Sequence, residues 1–148
     1  MRNLLVIVSD EHRFDAMGCA GHDFVRTPNL DALADRSVRF TNAYTPSPIC
    51  VPARAAFATG RYVHQTGHWD NASPYTGAPR GWGHQLQDAG IPVESIGKLH
   101  YRKPEDANGF DQLHIPMMVQ DGIGMIWASI RHEDERLHAP GRMLGPEI

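Results

Sequence analysis

The run Leu4-Leu5-Val6-Ile7-Val8 constrains the fold of this chain more than any other feature. A strand with one wet face alternates apolar and polar residues. An unbroken apolar run suits a parallel strand buried on both faces, and such strands belong to sheets with helices packed on each side. The run stops at Ser9-Asp10-Glu11. It falls far short of the roughly 20 residues that a membrane span requires, and it is followed by neither a cleavage site nor a patch of small residues. The expectation is a cytoplasmic chain with no membrane partner.

Downstream, strand and helix signals alternate. Thr27 as N-cap and Pro28 at the first helical position open a helix that carries Leu30, Leu33 and Ala34 on one face, with Asp31 early and Arg36 late. Residues 38–44 read as a second strand. Thr45-Pro46-Ser47-Pro48 interrupts regular structure, and Pro52 suits the first position of a helix running to about Ala58. Cys50 would then lie just before a helix N-terminus. Residues 64–81, rich in Gly, Pro, Asn and Ser, read as an ordered loop in which Trp69 and Tyr75 supply the buried anchors. A short helix over 83–89 closes at Gly90. Residues 92–96 form a strand that delivers Lys98 and His100 at its exit. Beyond Gly109 the pattern weakens. Residues 119–130 read as a helix interrupted by Gly122 and Gly124, and Pro146-Glu147-Ile148 offers no terminating element. There is no internal repeat or low-complexity tract. The alternation predicts an α/β sheet packed on both faces.

Charge is nearly balanced, 14 Lys and Arg against 17 Asp and Glu, so no broad field favours nucleic acid or an anionic membrane, and any handling of anions must be local. Two cysteines, Cys19 and Cys50, make no disulfide framework. Nine histidines are many for this length. They favour a metal or acid–base site without locating it. His12, His22 and His84 lack the spacing of a ligand set, and His64 and His68 read as structural. Trp69, Trp82 and Trp127 read as packing anchors rather than a sugar-stacking platform.

Asp10 and Glu11 directly follow the first strand, and ligands gather at the carboxyl ends of strands in open α/β sheets. Neighbouring strand residues point to opposite faces, so both carboxylates reach one ion only if the chain turns there. Hard oxygen ligands favour calcium or magnesium over zinc. Taken alone, the pair could equally be a solvated strand end or a helix cap. Cys50 has a bland reading as a small buried hydrophobe and a reactive one as a thiolate nucleophile beside Arg54. Lys98 and His100, two apart on a strand end, should leave on the same side, although a K-x-H by itself is usually a wet strand end.

Cys50-Val51-Pro52-Ala53-Arg54, running into Ala55-Ala56-Phe57-Ala58-Thr59-Gly60-Arg61, resembles the signature of the type I sulfatases. In that family a maturation enzyme reads the proline and arginine and oxidises the cysteine to formylglycine. Ala53 stands where serine is commoner, and Glu11 where the family more often has Asp or Gln. Gly97-Lys98-Leu99-His100 resembles the family's G-K-x-H motif, whose lysine binds sulfate and whose histidine contacts the formylglycine. Asn71, 21 residues beyond Cys50 in Trp69-Asp70-Asn71, matches by position an active-site asparagine of the choline-sulfatase and phosphonate monoester hydrolase branch. It reads equally as a loop residue in an Asx-turn.

The resemblance implies residues 1–148 as the amino-terminal portion of a sulfatase catalytic domain, with the mixed sheet of the alkaline-phosphatase-like α/β superfamily flanked by helices on both faces. It implies hydrolysis of a small sulfate ester, with Asp10, Glu11 and the modified Cys50 on calcium, or magnesium in its place. Cys50 is then the nucleophile, as a hydrated formylglycine with two hydroxyls. One hydroxyl attacks sulfur, and the other, on losing its proton, collapses the ester to the aldehyde and expels sulfate. Arg54, Lys98 and His100 position and stabilise that group, and Lys98 with Asn71 meets the substrate. The family's later metal and leaving-group segments have no counterpart here, so the chain alone is expected to turn over negligibly. The expected partners are the substrate and the maturation enzyme, with a homo-oligomer left open. The nearest alternative is a phosphodiester or phosphonate monoester hydrolase of the same superfamily. A second is an inactive fragment that folds only with a partner chain.

Overall fold

The computed structural model describes residues 3–124. Trp127, the expected helix beyond residue 124 and the Pro146-Glu147-Ile148 end lie outside that range. The chain divides into two compact units, one running to Ala43 and the other starting at Tyr44.

In the first unit, helix α1 spans Pro28–Ala34 with Thr27 as its N-cap, as the sequence predicts. The Thr27 hydroxyl does not cap the backbone. It donates to Asp31 Oδ1 (2.9 Å) and accepts from the Gly18 N–H (2.9 Å), while Asp31 Oδ1 also accepts from the Cys19 N–H (2.7 Å). This clasp ties α1 to the short 3-10 turn Gly18–Ala20. The Cys19 N–H, against some burial and with help from Thr27, holds the Asp31 carboxyl below its ordinary range. The expected strands at 4–8 and 38–44 do not form. Leu4, Leu5 and Ile7 are each more than 80% exposed, and Val38 and Phe40 nearly as much. A strand buried on both faces needs hydrogen-bonded neighbours and covering helices, and among the described residues only β1 and β2 below pair as strands.

The second unit holds helices α2 (Cys50–Thr59), α3 (Val63–Thr66) and α4 (Trp82–Asp88), then strands β1 (Glu94–Lys98) and β2 (Gln112–Met117). Helix α2 begins earlier than expected: Cys50 is its first residue and Pro52 its third. Proline is tolerated there because the first-turn N–H groups have no intrahelical acceptor. Strands β1 and β2 are parallel, with Glu94 opposite Gln112 and Lys98 opposite Met117. One extra residue on β2 between those registers makes a bulge, and Ile115 sits there at φ 49°, an outlier for a β-branched residue. In place of the start of a helix, residues 120–122 form a 3-10 turn, with Asp121, Gly122 and Gly124 all at positive φ.

Ala55 and Ala58 of α2 pack with Tyr75 and Tyr101 as the core, and Leu99, Phe110 and Met118 close around them. The rings meet edge to face, Tyr75 on Tyr101 at 4.9 Å and Trp82 on Phe110 at 5.9 Å between centroids, an arrangement that the ring quadrupoles favour. His84 locks the loops to this core. Its Nδ1 accepts from the Gly81 N–H (3.1 Å), so Nε2 carries the proton donated to the Ala107 carbonyl (2.6 Å).

Candidate functional site

Helix α2 starts at Cys50 because its neighbours remove the donors that a helix N-terminus leaves without partners. The N-cap residue Ile49 has no side-chain oxygen to offer. Its own N–H donates to Ser47 Oγ (3.4 Å), Pro52 has no N–H, and the Val51 N–H donates to Asn71 Oδ1 (3.0 Å) from 20 residues away. Val51 is 1% exposed, so this hydrogen bond is sheltered from water.

The loop that presents Asn71 is built on Asp70, whose side chain is fully buried. Asp70 Oδ1 accepts from the Ala72 N–H (2.9 Å) and the Ser73 hydroxyl (3.1 Å). The Asx-turn weighed for Asn71 therefore belongs to its neighbour, and Asn71 reaches helix α2. Sequence reasoning passed over Asp70, although an aspartate followed by a small residue and serine is the pattern of such a turn.

From β1, the Lys98 ammonium reaches within 3.6 Å of Cys50 Sγ. The Arg54 guanidinium, one helical turn from Cys50, donates to the Lys98 backbone carbonyl and so holds the strand end against the helix. Burial pushes the Tyr101 phenol well above its ordinary range, neighbouring Tyr75 adds to this, and the Arg54 charge opposes it. His100 does not continue the alternation of β1. The N–H groups of Leu99 and His100 both donate to the Met117 carbonyl (3.1 and 2.8 Å), and His100 adopts φ 57°. The chain curls around one acceptor at this point, so the inference that Lys98 and His100 leave on the same side of a strand does not hold.

Cys50, Arg54, Asn71 and Lys98 are thus joined through contacts within the second unit. Asp10 and Glu11 belong to the first. Glu11 is at φ 56°, so the backbone turns where two adjacent carboxylates need it to turn in order to face one ion. Among the described residues no three acidic, His or Cys side chains cluster as a metal cage. His12 meets the Ala16 carbonyl and His22 accepts from Phe24 and Val25, so both are engaged by local backbone rather than by a common centre. Cys19 and Cys50 are both free thiols.

The Sulfatase family model matches residues 2–127. The choline-sulfatase of Rhizobium meliloti (strain 1021) is 39% identical over 110 residues, 74% of this chain and 22% of that protein. The N-acetylglucosamine-6-O-sulfatase of Bacteroides thetaiotaomicron is 35% identical over 113 residues, 76% of this chain and 20% of its own length. A solved structure of a protein in complex with its substrate D-glucosamine-2-N,6-O-disulfate superposes with a TM-score of 0.63 at 35% identity, over 70% of this chain and 21% of that one. The chain spans about a fifth of the length of these relatives. Its helices and small parallel sheet follow the alkaline-phosphatase-like fold of that neighbour. The family match and the Cys50 signature at the head of α2 agree: this chain belongs to the sulfatase family.

Proposed function

We propose that this chain carries the nucleophile segment of a sulfuric ester hydrolase, with Cys50, oxidised to formylglycine, as the nucleophile. The observation that carries the reading is the Lys98 ammonium 3.6 Å from Cys50 Sγ at the first residue of a helix. In the hydrated aldehyde both hydroxyls branch from Cβ and one of them would stand about where the sulfur does, within reach of Lys98, which would meet an anionic group bound there. Hydrated formylglycine would supply a nucleophilic hydroxyl and a second one that releases sulfate, and calcium or magnesium, which Asp10, Glu11 and the modified residue 50 would hold, would supply Lewis-acid charge.

The chain's own residues do the rest. Lys98 attracts the sulfate and stabilises the charge that builds on its oxygens, an effect of about 3 kcal/mol for a fixed donor in a dry site. Arg54 fixes Lys98 through its carbonyl and adds a second positive charge. Asn71 Oδ1 accepts from the Val51 N–H beside residue 50, and Asn71 is the candidate that meets substrate together with Lys98. His100 is the candidate contact to residue 50. The named substrates of the relatives, a choline ester and sulfated glucosamines, suggest a small sulfate ester of an alcohol or sugar.

The test is the mass of the tryptic peptide containing Cys50 from the full-length protein made in its own host, paired with that protein's rates on an aryl sulfate and an aryl phosphodiester. An aldehyde at residue 50 with faster sulfate hydrolysis is expected. An unmodified thiol would overturn the nucleophile, and a preference for the phosphodiester would overturn the ester class.

A further inference from the structure

We infer that Asn71 is a positioning residue for the nucleophile: its side-chain oxygen serves as the missing N-cap of helix α2, supplied from outside the helix. Three observations carry this. The helix lacks a side-chain cap of its own, because Ile49 occupies the N-cap position. Of the first-turn groups, Ile49 donates to Ser47 Oγ, Pro52 has no N–H, and Val51, the residue bonded to Cys50, donates to Asn71 Oδ1. The loop that presents Asn71 is fixed by a fully buried acid, since Asp70 Oδ1 receives both the Ala72 N–H and the Ser73 hydroxyl.

A carbonyl oxygen on the second residue of a helix restrains the first turn, where Cys50 lies. A shift there moves residue 50 against Lys98, which is anchored separately through Arg54. Asn71 therefore acts through Val51 on the alignment of residue 50 with Lys98. This differs from substrate contact, because it depends on the amide oxygen and not on the amide nitrogen. Its bearing on catalysis rests on Cys50 being the nucleophile, whereas the hydrogen bond itself does not.

The experiment is NMR on the whole chain. A through-hydrogen-bond scalar coupling between the Val51 amide nitrogen and Asn71 Cγ is expected in the unsubstituted protein, and its absence overturns the proposal. Asn71→Ala should speed hydrogen exchange at Val51 by about fivefold or more, the size of a lost cap, with Gly60 and the β1 amides unchanged. Asn71→Asp, which keeps an acceptor oxygen, should restore the protection. Unchanged exchange in Asn71→Ala, or no rescue in Asn71→Asp, overturns it. If Asn71→Ala does not fold, the scalar coupling decides. None of these readouts uses turnover, so a failure of the sulfatase reading leaves them standing and their failure leaves that reading intact.

Discussion

Lys98 Nζ lies 3.6 Å from Cys50 Sγ, bringing together two residues 48 apart in the chain. The thiolate is the species that attacks an alkylating agent, and an ammonium at that distance attracts its negative charge. In the unmodified protein Lys98→Met should slow alkylation of Cys50 by iodoacetamide about fivefold, since unit charges about 4 Å apart in water interact by about 1 kcal/mol. Cys19, the other free thiol, is the internal reference in a peptide-mass assay. An unchanged ratio of the two rates would sink the pairing.

Arg54 is the tie between helix and strand, through the Lys98 carbonyl. Arg54→Met removes a charged donor from a partly buried acceptor, which should cost about 2 kcal/mol in urea unfolding. Arg54→Lys should recover little of it, because a lysine lacks the planar fork of the guanidinium. Full recovery by lysine would show that charge alone matters there.

Gly81 separates packing from backbone strain. Its φ of −108° suits any residue, yet a Cβ there would run into the Ala58 carbonyl of helix α2. Gly81→Ala should destabilise by about 2 kcal/mol through overpacking alone. Gly60 has open space around it but φ 66°, so Gly60→Ala should cost about 1 kcal/mol through strain alone. Equal thermal midpoints for Gly81→Ala and the parent would contradict the close approach.

Tyr101, 3% exposed, keeps its proton in the folded state to higher pH than in the unfolded chain. Above pH about 10 the unfolded chain ionises first and binds fewer protons, so stability present below that pH is lost as pH rises, by up to about 1.4 kcal/mol per unit. Urea midpoints between pH 8 and 11 should fall more steeply for the parent than for Tyr101→Phe. Parallel slopes would refute the assignment.

The apolar residues of the first unit are exposed, Leu4, Leu5 and Ile7 most of all. Such a surface favours association. Sedimentation of the purified chain should show oligomers, and Leu5→Lys with Ile7→Lys should shift the distribution toward monomer. A compact monomer at high concentration would count against this.

Much of the site was legible from local chemistry. Pro52 and Arg54 marked a helix beginning near Cys50, Thr27-Pro28 marked α1, and Gly97-Lys98 marked a strand exit, because caps, prolines and turns act over a few residues. Strand β2 was missed because its sequence, Gln112 to Met117, includes a proline and a bulge and does not alternate cleanly. The 4–8 run has the composition of a buried strand and yet is exposed, because burial depends on what is packed against a segment and not on the segment itself.

The sequence by itself determined the family and the presence of a helix beside Cys50, both of which depend on residue types at short spacing. Only the tertiary structure decided that Asn71 faces Val51 while Asp70 makes the turn, that Arg54 grips the Lys98 carbonyl, and that His100 curls away from the β1 alternation. Those outcomes depend on where buried donors and acceptors find partners across tens of residues. Each unsatisfied group costs enough to select one arrangement, and no local pattern encodes which partner it will be.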